Sequence, residues 1–448
     1  MSELTYRFGR AHLVAALVLV ALLATGAMGY LVARDLALAP TSAAATAATP
    51  TPTAASTPGA VAAPAGTAAR PGTAARQVVT QVGGANQAAI QGGEVTIGAV
   101  ITQSGLGDET PVYHGLDTAI KELNAAGGIR GARVNLEVLD DGTSPDRGQA
   151  ALRRLVENDH VFALVGECAP LTDIDAGPYF AQQAVPVFGA CFTSNDQYTN
   201  PQSGANQSFS LLLKPQTEGT RMADYLVKQM GATNPGIVSL AVNVLHDSFA
   251  GAQRALASHN CGDEEEVSLA HGTYDDVVLN EMNHHCDGIV LNLDPPRIVD
   301  WMEAAQRYGY KPKRVALTGF DSSVVQQGGA YANDMVTYYA QYMPTVDTNQ
   351  PAVSHYVQEM HTYHPEDPNV NLALVGYLAG TEFGREMNAV PGTITRQAFI
   401  NQLYAGNLDT GFTPPLRWTP HDHEAITDCR FYKLENGQFQ PASDWYGG

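Results

Sequence analysis

The sequence predicts an α/β fold with two doubly wound lobes, each built on a parallel sheet. One N-terminal membrane helix and a disordered linker are predicted to precede both lobes. The chain has 448 residues, enough for two or three domains. Hydrophobic residues make up 44% of it, so sizeable cores can form. From Glu94 onward, short β-rich runs alternate with helical segments. Their continuous hydrophobicity is typical of parallel strands that are buried on both faces.

The first 92 residues predict attachment to a membrane rather than a folded domain. Residues 1–10 carry two arginines and are expected in the cytoplasm, because positive charge is retained there. The apolar stretch 11–33 is long enough for a transmembrane helix. A cleaved signal sequence is the alternative, since 24–26 offers small residues for processing. The Ala/Thr/Pro-rich segment 34–92 is predicted to be a disordered linker. Because the N-terminus is expected in the cytoplasm, the remainder is expected on the extracytoplasmic face of a bacterial cell membrane, or secreted if the signal is cleaved.

The alternating elements fall into two consecutive sets. The first set has predicted strands at 95–101, 134–139, 161–165 and 185–188, and predicted helices at 111–126, 146–158 and 173–184. The second set has predicted strands at 237–244, 266–270, 289–293 and 315–318, and predicted helices at 249–258 and 296–308. A strand at 335–342 and helices at 352–364, 372–388 and 395–405 are too few for a third domain, so they are expected to complete these two. Because loops at the carboxyl ends of parallel strands converge on the cleft between lobes, ligand-binding residues are expected on those loops.

Charge and motif content exclude several classes of function. The formal net charge of −20 repels phosphate backbones, so no nucleic-acid partner is expected. The five cysteines form no CxxC pair and no zinc-finger spacing, and residues 421–424 (HDHE) are interpreted as a surface turn, so no metal site and no cofactor are predicted. The sequence also lacks GxxxxGK[ST] and GxSxG motifs, and no nucleophile and base fall at matched strand ends. The chain is therefore not expected to be an enzyme.

Several stretches carry a resemblance to a known family. They are 126–131 (AGGIRG), 140–145 (DDGTSP), 161–166 (VFALVG), 430–433 (RFYK) and 437–439 (GQF). Together they resemble the branched-chain amino-acid-binding (leucine/isoleucine/valine-type) periplasmic solute-binding proteins of ABC transporters, which have the type I bilobal fold. The resemblance implies three hinge crossovers between the lobes, a small ligand of the amino acid, amide or carboxylate class held between them, and delivery to an ABC-type permease. It implies that lobe 1 comprises 93–213 and 319–427, and that lobe 2 comprises 214–318 and 428–448.

The family's ligand contacts carry over only in part. The serine and threonine that hold a ligand carboxylate in the family correspond to Pro170 and Thr193, so only the threonine matches. The acid that receives the ligand ammonium corresponds to Arg297, three residues after Asp294. These departures favour an anionic or neutral polar ligand over an ordinary α-amino acid. Arg297 could instead face solvent, and Asp294 could instead cap the helix after it.

The remaining candidates are chosen for their positions near strand ends. The family's ligand-packing aromatic falls near Ser248, beside Phe249, and Glu167 is either a cleft residue or a solvated loop acid. The full set of candidate ligand-binding residues is Ser104, Gly105, Glu167, Cys168, Gly189, Cys191, Thr193, Ser248, Phe249, Asp294, Arg297 and Phe320.

The cysteines predict two disulfides. Cys168 and Cys191 follow neighbouring strands of lobe 1 at matching positions, which makes a bridge beside the cleft feasible. Cys261 and Cys286 each lie just ahead of a strand in lobe 2, which makes a second bridge plausible, and Cys429 is left over.

Two functions fit this reading. The first is a transport receptor that captures a small polar ligand and delivers it to an ABC-type permease. The second is a sensor that uses the same fold to report a ligand to a membrane partner, because a fold does not fix a function.

Overall fold

The computed structural model describes residues 93–105, 107–200, 205–317 and 322–447. The predicted cytoplasmic segment 1–10, membrane helix 11–33, linker 34–92 and candidate Phe320 lie outside these residues. Within the described part, none of the helices combines the length and apolar character that a bilayer crossing needs.

Lobe 1 is built on a five-stranded parallel sheet with the order β2-β1-β3-β4-β5. The strands are β1 (Glu94–Val100), β2 (Arg133–Leu139), β3 (Leu164–Val165), β4 (Val187–Phe188) and β5 (Ser208–Phe209). The helices between them are α1 (Thr110–Ala125), α2 (Pro145–Arg153), α3 (Pro170–Asp173), α4 (Gly177–Gln183) and α5 (Asp196–Thr199). A π-helical turn at Arg154–Asn158 extends α2, and a 3-10 turn at Ala205–Gln207 precedes β5.

Lobe 2 is built on a seven-stranded sheet with the order β12-β11-β10-β9-β8-β6-β7. Along the chain its elements are α6 (Pro215–Lys228), β6 (Pro235–Leu240), α7 (Asn243–Leu256), β7 (Glu264–Val267), α8 (Asp275–Asn283), β8 (Gly288–Asn292), α9 (Pro295–Tyr308), β9 (Lys313–Ala316), α10 (Ser322–Gly328), a 3-10 turn at Gly329–Ala332, and β10 (Met335–Tyr339). The chain then returns to lobe 1 with α11 (Pro351–Tyr363), α12 (Val370–Ala389) and α13 (Arg396–Ala405), before β11 (Arg430–Glu435) and β12 (Gln438–Pro441) complete the second sheet.

The larger sheet differs from the sequence analysis in two ways. It is mixed rather than wholly parallel, because β11 runs antiparallel to both β10 and β12. Strand β10 belongs to this sheet, although the expected boundaries placed 319–427 in lobe 1. All five residues of β10 are buried because the strand lies inside the sheet, between β9 and β11.

Helix starts are encoded locally in the sequence. Ser144 caps α2, where its side chain accepts a hydrogen bond from the Arg147 N–H, and Pro145 takes the first helical position. Asp294 caps α9 in the same way, ahead of two prolines, and Gly309 at φ +67° ends that helix. The 140–145 motif therefore serves as a helix entry.

A pair of glycines brings two helices into close contact in each lobe. In lobe 1, α1 packs on α12: a Cβ added to Gly115 would lie 1.8 Å from the Ala373 carbonyl oxygen, and one added to Gly376 would lie 1.9 Å from the Val112 oxygen. In lobe 2, α6 packs on α7, and Gly219 and Gly251 meet the facing backbone at 1.8 and 2.2 Å by the same measure. Only hydrogen at these positions allows the helices to approach so closely.

The chain passes between the lobes three times, after β5, after β10 and before β11. Side chains tie these crossings together. The Gln341 amide donates to the Leu211 carbonyl oxygen at 2.9 Å, which joins the second crossing to the first. Arg430 pairs with Asp347 at 3.1 Å, which joins the third crossing to the second. The crossings thus form one hydrogen-bonded hinge.

Candidate functional site

The strand orders locate a candidate ligand cleft. In lobe 1 the order reverses between β1 and β3, and in lobe 2 it reverses between β6 and β8. Ligands of open parallel sheets bind beyond the carboxyl ends of the strands at such switch points. The candidate loops therefore run from 101 to 105, 166 to 169 and 189 to 195 in lobe 1, and from 241 to 242 and 293 to 294 in lobe 2, where the first turns of α7 follow 242.

Thr193 presents an unused hydroxyl in this loop system. Its Oγ1 is buried and makes no hydrogen bond. The Gln197 side-chain oxygen accepts hydrogen bonds from the Thr193 and Ser194 N–H groups at 3.0 and 2.9 Å, and its amide nitrogen donates to the Asp173 carbonyl oxygen at 3.0 Å. The backbone that carries the hydroxyl is thus held from inside lobe 1. Because a buried hydroxyl without a partner costs free energy, this position suits an incoming polar ligand.

The same loop contacts lobe 2 two residues further on. The Asn195 N–H donates to the Asp247 carboxylate at 2.7 Å, and the Asn195 side chain exchanges two hydrogen bonds with Gln216, at 3.1 and 3.3 Å. None of these three residues was among the predicted site residues. The position of Asn195, just past a strand-end loop, was a weak signal, but nothing in the sequence pairs it with Asp247.

Ser104 and Gly105 lie on the exposed loop after β1. The Ser104 hydroxyl donates to the Asp140 carboxylate, which also accepts from the Gln103 and Gly142 N–H groups at 2.9 and 2.8 Å. Partial desolvation acts to raise the pKa of Asp140, but these hydrogen bonds outweigh it and the pKa is lowered. Gly105 has φ +99°, and a Cβ there would lie 2.5 Å from the Thr143 hydroxyl oxygen. Gly105 therefore lets the two loops approach each other.

Glu167 does not face the cleft. Its side chain is fully buried, and its carboxylate accepts a hydrogen bond from the Val100 N–H of β1 at 3.0 Å. Burial raises its pKa well above the usual value, and the nearby Asp173 raises it further. Asp173 is equally buried, accepts from the Ala169 N–H at 3.1 Å, and has a pKa raised by burial to about 8. Glu167 Oε1 and Asp173 Oδ1 are both buried without a hydrogen-bond partner, and the raised pKa values favour retention of a proton by this pair.

Both predicted cysteine pairs are disulfides in the structure. Cys168 and Cys191 are joined across the loops after β3 and β4, with a Cα separation of 4.9 Å. Cys261 and Cys286 are joined at the opposite, amino-terminal edge of the lobe 2 sheet, with a Cα separation of 5.3 Å. Cys429 is a free, buried thiol. The first disulfide joins the loops after β3 and β4 covalently. The Cys191 N–H also donates to the Glu167 carbonyl oxygen at 2.8 Å, which adds a second link between the same two loops.

The predicted lobe 2 contacts Ser248 and Phe249 are packed inside that lobe. Ser248 is 1% exposed, and its hydroxyl donates to the Asn292 side-chain oxygen at 3.2 Å. The Asn292 amide in turn donates to Ser239 and to the Leu245 carbonyl oxygen. Phe249 is 5% exposed within the core. At the start of α7, Asn243 and His246 are exposed, and they were not predicted.

Arg297 and Asp294 bind each other. The guanidinium pairs with the Asp294 carboxylate at 3.0 Å and donates to the Leu269 carbonyl oxygen at 3.4 Å, while Asp294 caps α9. The spacing of three residues on a helix allows this pairing. A guanidinium already engaged by its own helix gives little support to the expectation of an anionic ligand.

Two further positions also serve the scaffold. Gly189 has φ +70°, and a Cβ there would lie 2.4 Å from the Ala379 Cβ of α12, so its role is close packing beneath the loop. His423 of the predicted surface turn is 2% exposed, and its ring nitrogens contact the Ser208 carbonyl oxygen at 2.6 Å and the Tyr404 hydroxyl at 2.9 Å. Burial is the main cause of its lowered pKa. The prediction of a surface turn is wrong for His423, because its ring stacks on Phe209 of β5 with centroids 4.6 Å apart.

Comparison with known proteins matches this architecture. The family model described as periplasmic binding protein matches residues 94–438. An amino acid binding protein of Pseudomonas aeruginosa is 26% identical over 129 residues, which is 28% of this chain and 33% of that protein. Leu/Ile/Val-binding protein homolog 8 of Brucella abortus is 24% identical over 331 residues, which covers 67% of this chain and 77% of that protein.

Solved structures share the fold. The crystal structure of a possible leucine/isoleucine/valine-binding protein from Rhodopirellula baltica superposes with a TM-score of 0.69 at 22% identity, covering 78% of this chain and 96% of that one. With two α/β lobes, a three-crossing hinge and a family match over most of its length, this chain belongs to the periplasmic binding protein family.

Proposed function

We propose that this protein is the extracytoplasmic receptor of an ABC-type importer, which captures a small polar ligand between its lobes and delivers it to the permease. Membership of the periplasmic binding protein family supports the receptor role and the extracytoplasmic location. The observation that carries the binding site is the buried, unpartnered Thr193 hydroxyl on the loop that follows β4.

The ligand class follows from what the cleft loops present. A hydroxyl donates to a carboxylate or amide oxygen and accepts from an N–H group. Since Arg297 is paired with Asp294, the cleft gains little positive charge from it, and an α-amino acid remains within the proposed class together with amides and carboxylates. The Pseudomonas and Brucella relatives named above are described as amino acid and Leu/Ile/Val-binding proteins, which supports the same class.

Attachment to the membrane is part of the proposal. The apolar stretch 11–33 either anchors the chain or is removed as a signal sequence, and 34–92 spans the distance to the folded lobes. Mass spectrometry of the protein recovered from membranes decides between the two, because an intact residue 1–33 segment is expected only for the anchored form.

Ligand identity is tested by thermal unfolding of the full chain with amino acids including leucine, isoleucine and valine, and with amides, short peptides and carboxylates. A ligand that binds only the folded state raises the melting temperature. Thr193→Val is expected to weaken the best ligand about 5- to 150-fold, equivalent to about 1–3 kcal/mol, because it removes the hydroxyl and preserves shape. Thr193→Ser is the matched control and should retain most of the affinity. Equal affinity in all three proteins would remove Thr193 from the site.

The sensor alternative makes a different prediction. A transport receptor should stimulate ATP hydrolysis by its permease complex when the ligand is present, whereas a sensor should bind the same ligand without that effect. Genes for a permease and an ATPase beside this one would identify the complex to reconstitute.

A further inference from the structure

A cluster of histidines and carboxylates lies outside the cleft, where α1 meets the end of α11. Its members are His114 and Asp117 on α1, and His364, Glu366 and Asp367 on the loop between α11 and α12. His114, His364 and Glu366 each offer one ligand atom, and these three atoms lie within 4.8 Å of one another. The side chains of His114 and His364 are 18% and 11% exposed, whereas Glu366 is 62% exposed. Two half-buried imidazoles thus meet a solvent-facing carboxylate.

Each histidine is oriented by a further carboxylate. His114 Nδ1 lies 2.8 Å from an Asp367 oxygen, and the Asp367 side chain is 1% exposed. His364 Nε2 lies 2.7 Å from an Asp117 oxygen. These contacts engage one nitrogen of each ring with an aspartate, which leaves His114 Nε2 and His364 Nδ1 as the nitrogens that can bind a metal ion. Histidine ligands of metal ions are commonly held by a carboxylate on the other ring nitrogen in this way.

Carboxylates dominate the surroundings of the two imidazoles. His364 Nδ1 lies 3.1 Å from a Glu366 oxygen, so a ring nitrogen and a solvent-facing carboxylate converge on one point. The two imidazoles are stacked with centroids 4.2 Å apart, which places both rings beside that point. Three carboxylates and Lys121, which pairs with Asp117 at 2.5 Å, contribute a formal charge of about −2 around the rings. A divalent ion bound beside Glu366 would balance that charge.

We propose that His114, His364 and Glu366 bind a zinc ion, with Asp117 and Asp367 positioning the two imidazoles. Two nitrogens and one carboxylate oxygen form a ligand set that zinc takes readily, with the fourth position left to water. The separation of 3.1 Å between His364 Nδ1 and the Glu366 oxygen suits two neighbours in a tetrahedral shell, whose bonds are about 2.0–2.2 Å long. The stacked rings must tilt apart to share one ion. The ion would join α1 to the segment that leads into α12, on the outer side of lobe 1.

A second group on the same two helices, Glu122, His355 and Glu359, contains a single histidine, which pairs with Glu122 at 2.8 Å. It is left out of the proposed site because one imidazole and two acids form a poorer zinc ligand set. The variant His355→Ala shows at which of the two groups zinc binds, because it removes the only histidine of this second group.

Titration calorimetry with zinc chloride on the full chain, stripped of metal with a chelator, tests the proposal. One equivalent of zinc should bind in the wild type, and His114→Ala and His364→Ala should each weaken binding at least about tenfold. Glu366→Gln keeps the size of an exposed side chain, so it should weaken binding without affecting folding. His355→Ala and the exposed lobe 2 variant His259→Ala should bind zinc like the wild type.

Cobalt provides a readout that does not depend on stability. Cobalt(II) added to the chelator-treated chain should give the visible absorption of a four-coordinate site, and the His114→Ala/His364→Ala double variant should not. The proposal is overturned if the wild type binds no zinc, or if the double variant and Glu366→Gln bind it as tightly as the wild type. Either result would show the cluster to be an ion-pair network only.

Discussion

At the scale of single residues, the most unusual group is the Glu167–Asp173 carboxyl pair beneath the cleft loops. Asp141 lies beside it, also fully buried, and accepts hydrogen bonds from the Thr102 and Thr172 hydroxyls at 2.9 and 2.7 Å. Asp141 is thereby satisfied by neutral donors, whereas burial raises the pKa values of Glu167 and Asp173 and favours a protonated carboxyl in that pair. Carboxyl groups that stay protonated in the folded state couple folding to pH.

The Glu167–Asp173 pair predicts that stability falls as the pH rises. In the unfolded chain both carboxyls ionise near pH 4, whereas the folded protein retains a proton until its raised pKa, about 8 for Asp173, is reached. The folded state therefore binds more protons between about pH 4 and 8, and its free energy of unfolding should fall across that window by up to about 1.4 kcal/mol per pH unit for each proton retained. Melting curves from pH 4.5 to 8.5 measure this slope.

The variant Glu167→Gln isolates the contribution of this carboxyl pair to the pH dependence of stability. The amide can still donate a hydrogen bond to Asp173 but cannot ionise, so the slope between pH 4.5 and 8.5 should become shallower than in the wild type. The exposed variant Glu303→Gln is the control and should leave the slope unchanged. A wild-type slope in Glu167→Gln would mean that other buried acids, such as Glu218 with its pKa raised by burial to about 8, dominate the response.

At the scale of elements, α1 and α12 cross in close contact at Gly115 and Gly376. Gly376→Ala should lower the free energy of unfolding by about 1–3 kcal/mol, because the added methyl group meets the Val112 carbonyl oxygen and the helices must separate. Urea unfolding curves measure the change. Gly272→Ala is the control, because a Cβ there has nothing within 4 Å. Equal stability of the two variants would show that α12 can shift at little cost.

The two disulfides offer a second test at this scale. Each closes a chain segment of similar length, with sequence separations of 23 and 25 residues, so replacing either pair by serine should cost about 2–4 kcal/mol of unfolding free energy. Only the Cys168–Cys191 pair lies at the carboxyl ends of strands. Its loss should therefore also weaken ligand binding, whereas loss of Cys261–Cys286 should not. Calorimetry on both double variants separates the outcomes, and an equal effect on affinity would contradict this assignment.

Periodicity and local signals account for most of the elements. The alternation of apolar strands and helices predicts the long strands β1, β2, β6 and β8, because a strand buried on both faces leaves a continuous apolar run. The helix α6 was missed: Gly219 interrupts its pattern, for a packing reason that only the partner helix α7 reveals. The sequence did not indicate which sheet β10 joins, because that depends on which strands it hydrogen-bonds, here β9 and β11.

The site was predictable to the level of loops rather than atoms. Strand ends identified the loop of Thr193 and both cysteine pairs. The directions of Glu167, Ser248 and Phe249 depend on packing against β1, Asn292 and the core of lobe 2, so position alone could not assign them. The Asp294–Arg297 pair was readable from its spacing of three residues, and the interlobe contact of Asn195 was not readable at all.

At the scale of the whole molecule, function depends on how the lobes meet. The hinge crossings are braced by Gln341, Asp347 and Arg430, and the lobes also touch where the Asn195 loop reaches Asp247. This contact lies beside Thr193, so a ligand held there would be enclosed by the same approach of the lobes. Closure and binding should therefore be coupled, because a ligand that contacts both lobes favours the state in which they meet.

Asp247→Ala tests this coupling. Removing the carboxylate deletes the hydrogen bond from the Asn195 N–H without altering any hinge crossing, so the unliganded protein should favour a more open arrangement and show a larger radius of gyration in X-ray scattering. Ligand affinity should fall by about tenfold, equivalent to about 1.4 kcal/mol, because the ligand must then supply more of the free energy of closure. Asp300→Ala removes an exposed charge of the same sign from α9 and should match the wild type in both measurements. If Asp247→Ala matches the wild type as well, the Asn195–Asp247 contact is part of the hinge and contributes nothing to closure.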